Sequence, residues 1–482
     1  MGTKAINQKA AVPKYVHVII TVALMLVIGM LPPVAPLTQY GMQVIGILVG
    51  VVYGMSMVDV FWPSLCAILG LAITSGNMSS VLASSVGSDV VWGMIMIFII
   101  LFALQREGVA KFFANWIISR KVVKGRPWLF SFFILLGAFV VAIVSPFPAL
   151  LIFWDIVYAT CDNFHQPHNC RWSQFMILGV TFSAGLGVVS LPMLTSNGIT
   201  VFANYQAIAG ESLNAVKYVA ALVPLMLASV GIYILLCKFV FKPDITAFKE
   251  IDVTIADQSA LKLGRRQVIV MLSMLVLLLI LFAPYLLPDS WGLTSFLSNL
   301  GLFGGCAVII LALALLKVDG APLLNIQEAA SKNIQWGTVF MVALLMPLGN
   351  AISGADSGIM ATLTNVLSPV LAGKSVFIFS LIIIVIGVIL TNVSQNLVVI
   401  GILMPIVGAM AGEGVNLAAM TVLIALATHY AVLLPSASFV TGIMFSNENV
   451  TNGFLYKYGA VICVVCGVFA ATVGYVWCNL IF

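Results

Sequence analysis

The sequence is short of charge. Of its 482 residues only 8% are Asp, Glu, Lys or Arg, against about 25% in a soluble globular domain. So few charges cannot cover a water-facing surface, which excludes a soluble enzyme or binding module. Motifs of driven or catalytic chemistry are missing as well. There is no Walker A loop for a primary pump, no HExxH metal site and no GxSxG nucleophile elbow. The alternating pattern of a membrane barrel is also absent.

What is there is apolar sequence. Hydrophobic residues make up 62%, and apolar runs recur at the length that crosses about 30 Å of hydrocarbon. Lipid satisfies no open backbone group, so these runs are expected to be helices. The net charge of +5 sits in short loops, where it sets topology and does not indicate nucleic-acid binding. Cys463 and Cys466 form a CxxC inside an apolar run and read as packing. Cys161 and Cys170 flank a polar loop with His165 and His168, read as a reduced cytoplasmic loop rather than a metal site. Lys4, Lys9 and Lys14 precede the first apolar run with no small-residue cleavage site, so a retained first helix is expected after a cytoplasmic segment 1–14.

One polar stretch, residues 239–265, divides the chain, and the two halves repeat one another. Residues 84–238 and 331–482 each begin near a Trp-Gly pair, Trp92-Gly93 and Trp336-Gly337, that opens a long apolar helix. In each half an apolar run broken by polar residues or Pro comes next, then a helix whose middle is rich in small residues and Pro, then a clean final helix. Residues 15–83 and 266–330 supply scaffold helices ahead of each repeat. The broken runs, 127–162 and 375–412, have the length of re-entrant hairpins rather than of two spans each. Non-helical backbone at membrane depth is tolerated only where it lines a cavity, and paired interruptions mark a transporter site. The expected fold is therefore an all-α polytopic membrane protein with about 11 transmembrane helices and two re-entrant hairpins in inverted repeats. With a cytoplasmic N-terminus and an outside C-terminus, every Lys and Arg but Lys217 and Lys374 faces the cytoplasm, as in a cell inner membrane. Gly46, Gly50 and Gly54 form a small-residue face for helix packing, within the subunit or across a dimer.

The breaks nominate the site. Ser145 is a good N-cap and Pro146 suits a first helical position, so the first tip presents a helix N-terminus to a solute. At the second tip Thr391, Ser394 and Asn396 are polar within apolar sequence. The small-residue helices add Gly187, Thr195, Ser196 and Asn197 in one half and Ser436, Ala437 and Ser438 in the other. Solute contacts are expected from Ser145, Pro146, Thr195, Ser196, Asn197, Asn396, Ser436 and Ser438. Cation ligands are expected from Ser145, Gly187, Thr391, Ser394, Asn396 and Ala437. Asp155 and His429, ionisable and inside apolar sequence, are the candidates for proton coupling. The bland alternative is that these groups only cap broken helices.

At these hairpins and breaks the sequence resembles the divalent anion:sodium symporter family of the ion transporter superfamily, carriers of dicarboxylates, citrate or sulfate. The resemblance runs from about residue 15 to 480. GSDVVWGMIMIFIILFALQREGVAKFFANWI looks like the family's fourth helix and amphipathic arm, NLVVIGILMPIV like the returning arm of its second hairpin, and LLPSAS like its second broken helix. The family's Ser-Asn-Thr tips are reduced here to Ser145-Pro146-Phe147 and Gln395-Asn396-Leu397, and its Thr-Pro-Pro-Asn to Thr195-Ser196-Asn197. The resemblance implies a homodimer, an elevator motion, a small anionic solute and possible Na+ coupling, with no cofactor. The altered first tip implies a weakened first cation site, hence fewer sodium ions, protons, or exchange. A cation/proton antiporter or another solute carrier on a related fold is the alternative, with an intramembrane enzyme a third and less favoured reading.

Overall fold

The computed structural model describes residues 14–109, 112, 116, 125–248, 263–288, 290–371, 375–435 and 437–482. The protein is an all-α polytopic membrane protein. Among the described residues, nine helices are long and apolar enough to cross a membrane. Shorter apolar helices accompany them at Tyr15–Met30, Gln39–Met55, Phe61–Ser75, Asn396–Ala409 and Leu417–Thr428.

The first half runs α1 Lys14–Met30, α2 Gln39–Met57, α3 Phe61–Ser75, α4 Met78–Ser84 and α5 Asp89–Arg106. It continues as α6 Pro127–Val144, α7 Pro146–Asn163, α8 Arg171–Ser190, α9 Ser196–Ala209 and α10 Ala215–Leu235. The second half holds α11 Arg265–Phe282, α12 Gly292–Leu315, a two-residue ribbon of β1 Lys317–Val318 on β2 Ala321–Pro322, α13 Ile326–Asn333 and α14 Trp336–Ser353. Then come α15 Ile359–Leu371, α16 Val376–Val393, α17 Asn396–Ala409, α18 Leu417–Thr428, α19 Phe439–Phe445, α20 Asn452–Phe469 and α21 Tyr475–Ile481. Local sequence starts these helices. Thr38, Asn214 and Asn416 accept from the backbone N–H three residues on, and Pro127 and Pro146 stand at first helical positions, where no N–H is needed.

The small-residue face of α2 is spent inside the subunit. A Cβ on Gly46 would stand 2.7 Å from Met25 O, and one on Gly50 2.8 Å from Thr21 O, so α1 lies backbone-close on α2. The two Trp-Gly helices pack crosswise. A Cβ on Gly93 of α5 would meet Leu302 of α12 at 2.5 Å, and one on Gly337 of α14 would meet Val60, next to α3, at 2.7 Å. Each repeat's Trp-Gly helix thus leans on the scaffold helix of the other half. The final helices of the halves share a feature too: each carries a π-helical turn, Leu236–Phe241 and Ala470–Gly474.

Two apolar cores divide the molecule. One joins α6, α7, α8 and α10 to α16, α18 and α20, with Phe182 stacked between Tyr233 and Tyr430. The other joins α2, α3 and α5 to α11, α12 and α14. Helix α9 serves both: Val201, Phe202 and Tyr205 belong to the first core, Ile199 and Ala203 to the second. Opposite faces of one 3.6-residue helix make that double duty possible. At one end of the second core Arg266 fastens three elements. Its guanidinium meets Glu107 at 2.9 Å and donates to the carbonyls of Val318 and Pro322 at 2.9 and 3.0 Å.

Candidate functional site

Breaks in helical backbone fall at corresponding places in the two halves. Between α6 and α7 the break is Ser145 alone, extended at φ −162°. Between α16 and α17 it is Ser394 and Gln395. Between α8 and α9 it is Leu191–Thr195, where Met193 takes a left-handed φ of 63°. Between α18 and α19 it spans His429–Ser438. The first arm of each hairpin lies along the broken helix of its own half. Gly187 makes this approach possible in the first half, since a Cβ there would collide with Phe139 O.

Break chemistry begins with capping. Thr195 accepts from Gly198 N at 3.1 Å, and Ser438 accepts from Thr441 N at 3.2 Å. Thr441 in turn donates to Ala431 O at 2.6 Å. The Gly187 carbonyl accepts from Ser190 Oγ at 2.8 Å. These four groups therefore hold the breaks open as built loops.

The second tip is wired into the second break. Asn392 donates to Val388 O at 2.8 Å and to Tyr430 O at 3.1 Å, and accepts from Leu433 N at 2.8 Å. Thr391 Oγ1 lies 2.5 Å from Thr428 O and 3.0 Å from Asn396 Oδ1. One hydroxyl has one proton, and Thr428 O can only accept. The bond with Asn396 is satisfied when the Asn396 amide turns its Nδ2 toward Thr391, an assignment set by the network. Cys463 of the CxxC donates to Tyr430 O at 3.1 Å, which fits a packing role.

The two breaks meet at His429. Its Nδ1 lies 2.7 Å from Ala425 O, an acceptor, so Nδ1 carries the proton. Its Nε2 lies 2.9 Å from Asn197 Nδ2 and accepts from it. This arrangement suits the neutral ring and joins residues 232 positions apart. Asn197, Thr200 and Asn204 fall on one face of α9. Asn204 donates to Thr200 O at 2.9 Å, and it lies at an apolar crevice where α9 and α17 meet the scaffold, with Leu48, Met55, Leu345 and Gly401.

The first tip has a different make-up. The Ser145 side chain makes no capping bond, Phe147 is exposed, and Pro146 and Pro148 offer no N–H. Ser145 and Asn396 share no hydrogen bond among the described residues. Asp155 is exposed on α7 and is not brought to His429. Ala437 is buried, while Ser394 is half-buried. Ser436 lies outside the described residues, and Ser196 is placed by its backbone at the start of α9. Asn204 was missed from sequence, although polar residues at 197, 200 and 204 in an apolar helix were the available signal. Among the described residues no group of three or more His, Cys, Asp and Glu could hold a metal. Among the described residues the buried polar side chains, besides Tyr and Cys, are Ser, Thr and Asn together with His429, and none is Asp, Glu, Lys or Arg.

These features, hairpins with polar tips packed on broken helices inside an all-helical membrane fold, define a solute transporter. The family model of citrate transporters (CitMHS) matches residues 5–429, and the chain belongs to that family. The expected resemblance thus resolves to citrate transporters of the ion transporter superfamily. A relative from Haemophilus influenzae, described as an uncharacterized transporter, is 22% identical over 311 residues, 63% of this chain. The match spans 62% of that relative's length. The crystal structure of the Alcanivorax borkumensis YdaH transporter, described as having an unusual topology, superposes with a TM-score of 0.56 at 11% identity. That superposition covers 97% of this chain and 98% of the other, and establishes the fold alone.

Proposed function

We propose that the protein is a secondary active carrier of a citrate-like di- or tricarboxylate. Membership of the citrate transporter family over residues 5–429 carries the solute class. The solute would sit between the tips and the joined breaks, against Asn396, Asn197 and the N-terminus of α17, with Ser145 closing from the other side. A polar surface without Lys or Arg suits an anion only when cations travel with it, because an uncompensated charge is costly inside a membrane. Na+ or H+ would supply that charge in symport, or exchange with another anion would avoid net charge movement. The separate cores support an elevator motion in which the body holding both hairpins slides on the scaffold, across the interface lined by α9 and α17. A homodimer with its N-terminus in the cytoplasm completes the reading. A cation/proton antiporter is the weaker alternative, since the described site buries no carboxylate to bind a bare cation.

Uptake of labelled citrate into proteoliposomes tests the proposal. Accumulation above protein-free liposomes, inhibited by unlabelled citrate, is expected. Absence of uptake under sodium, proton and counter-anion gradients alike would overturn it.

A further inference from the structure

Cys161 lies in the last turn of α7, the returning arm of the first hairpin, and Cys170 occupies the N-cap position of α8. Both are free thiols, and their sulfurs lie 3.9 Å apart. The turn between them is fixed by its backbone: Gln166 N donates to Cys161 O at 2.8 Å and Cys170 N to Pro167 O at 2.9 Å. The meeting of the sulfurs is therefore part of the fold. Cys170 is half-buried and Cys161 is buried. Contact with the Cys161 thiol holds Cys170 below the ordinary thiol range. Burial opposes this, and the N–H groups of Ser173 and Trp172 at the α8 N-terminus support it. The same contact, with burial, raises Cys161. A partly accessible thiol with a lowered pKa, in contact with a second thiol, is the arrangement of an oxidisable pair. The turn also carries a clasp. His168 stacks on Tyr158 of α7 at 4.8 Å, and Tyr158 exchanges a hydrogen bond with Asn447, just past α19, at 2.8 Å.

We propose that Cys161 and Cys170 form a hydroperoxide-responsive pair whose disulfide fastens the first hairpin's returning arm to α8 and slows transport. The Cys170 thiolate attacks the terminal oxygen of a hydroperoxide, the O–O bond breaks, and an alcohol leaves after taking a proton. Cys170 is then a sulfenic acid. Cys161 loses its proton and its sulfur attacks the Cys170 sulfur. The S–O bond breaks and hydroxide leaves with that proton as water. Two thiols and one hydroperoxide thus give a disulfide, an alcohol and water. The sulfurs close from 3.9 Å to about 2.05 Å, which draws the clasp toward α8.

The test uses the reconstituted full chain, treated with tert-butyl hydroperoxide, alkylated and digested with trypsin. The fragment spanning residues 125–171 holds both thiols and no others. Expected is a fragment two hydrogens lighter that escapes alkylation until reduced with dithiothreitol, with citrate uptake falling several-fold and recovering in step. Cys161→Ser should stop at a sulfenic acid trapped by dimedone, and Cys170→Ser should give neither product. Thiols that stay alkylatable after the oxidant overturn the proposal, as does a disulfide that leaves uptake unchanged. A preparation that never takes up citrate strikes the proposed function instead, while the mass of the fragment still decides whether the pair closes.

Discussion

The two hairpin tips come from corresponding places in a repeat, yet they are built oppositely. At the second tip, Thr391, Asn392 and Asn396 are buried and bonded to one another or to the backbone of the neighbouring break. At the first tip, Ser145 makes no cap bond and prolines flank the exposed Phe147. A bonded tip presents its groups in fixed places, which lowers the ordering cost of binding. A tip whose serine makes no cap bond leaves its hydroxyl less fixed. The second tip therefore reads as the preorganised half of the site and the first as the half that closes.

The largest expected break in this comparison is Asn392→Ala. The change strands Leu433 N and leaves Tyr430 O with the Cys463 thiol alone, and a buried group left unpaired costs about 1–3 kcal/mol. Thermal unfolding in detergent should show a clear fall in Tm, with uptake lost alongside it. An unchanged Tm would mean that the second tip is not held by this side chain.

Part of this difference was legible in the sequence. Pro at a first helical position announced the start of α7, and the polar cluster from Thr391 to Asn396 announced the second break. Trp92-Gly93 and Trp336-Gly337 marked corresponding helices because each pair opens a long apolar run at the same place in its half. The sequence did not disclose that these helices cross-pack between halves, because nothing local names a partner some 200 residues away; Gly93 and Leu302 meet only in the fold. The site was legible as a set of residues and not as a circuit. Asn197 and His429 were both singled out, one for solute and one for protons, and the structure makes them partners. Asp155 drew notice as an ionisable residue in an apolar run, but helical phase puts it on the exposed face of α7.

A smaller effect is expected at Asn396→Ala. The loss of one neutral hydrogen bond, about 0.5–1.5 kcal/mol, should weaken citrate affinity several-fold while folded protein persists. Competition between labelled and unlabelled citrate measures it. Equal affinity in the variant would remove Asn396 from the site and weaken the case for a preorganised second tip.

The junction between the breaks allows a sharper test. Asn197→Ala and His429→Ala each remove one side of the 2.9 Å bond. In a double-mutant cycle on Tm, residues in contact show coupling of at least about 0.5 kcal/mol. The uptake pH profile of His429→Gln separates two roles for the ring. The hydrogen bonds suit a neutral imidazole with Nδ1 protonated, so the profile should keep its shape while the rate falls. Loss of a pH-dependent limb would show that His429 carries the proton after all.

The smallest expected effect on folding, and the one that decides the comparison, belongs to Ser145→Ala. Its hydroxyl holds no cap bond and its extended backbone suits any residue. Unfolding should therefore shift by no more than about 0.5 kcal/mol, as at a site free of buried polar partners. Uptake should still slow, because Ser145 is the side-chain oxygen this tip offers to a solute or cation, with Pro146 and Pro148 unable to donate an N–H. The sodium response sharpens the point. A first tip with Phe147 in place of a hydroxyl and no wired network supplies few oxygens to a cation, whereas the second tip offers Ser394 and Asn396. Uptake measured with sodium, potassium or choline outside, at fixed pH and voltage, should show at most a shallow sodium dependence. Ser145→Ala should leave that dependence unchanged, and Ser394→Ala should reduce it. A steep sigmoidal sodium curve that Ser145→Ala flattens would place a working cation site at the first tip and erase the asymmetry between the hairpins.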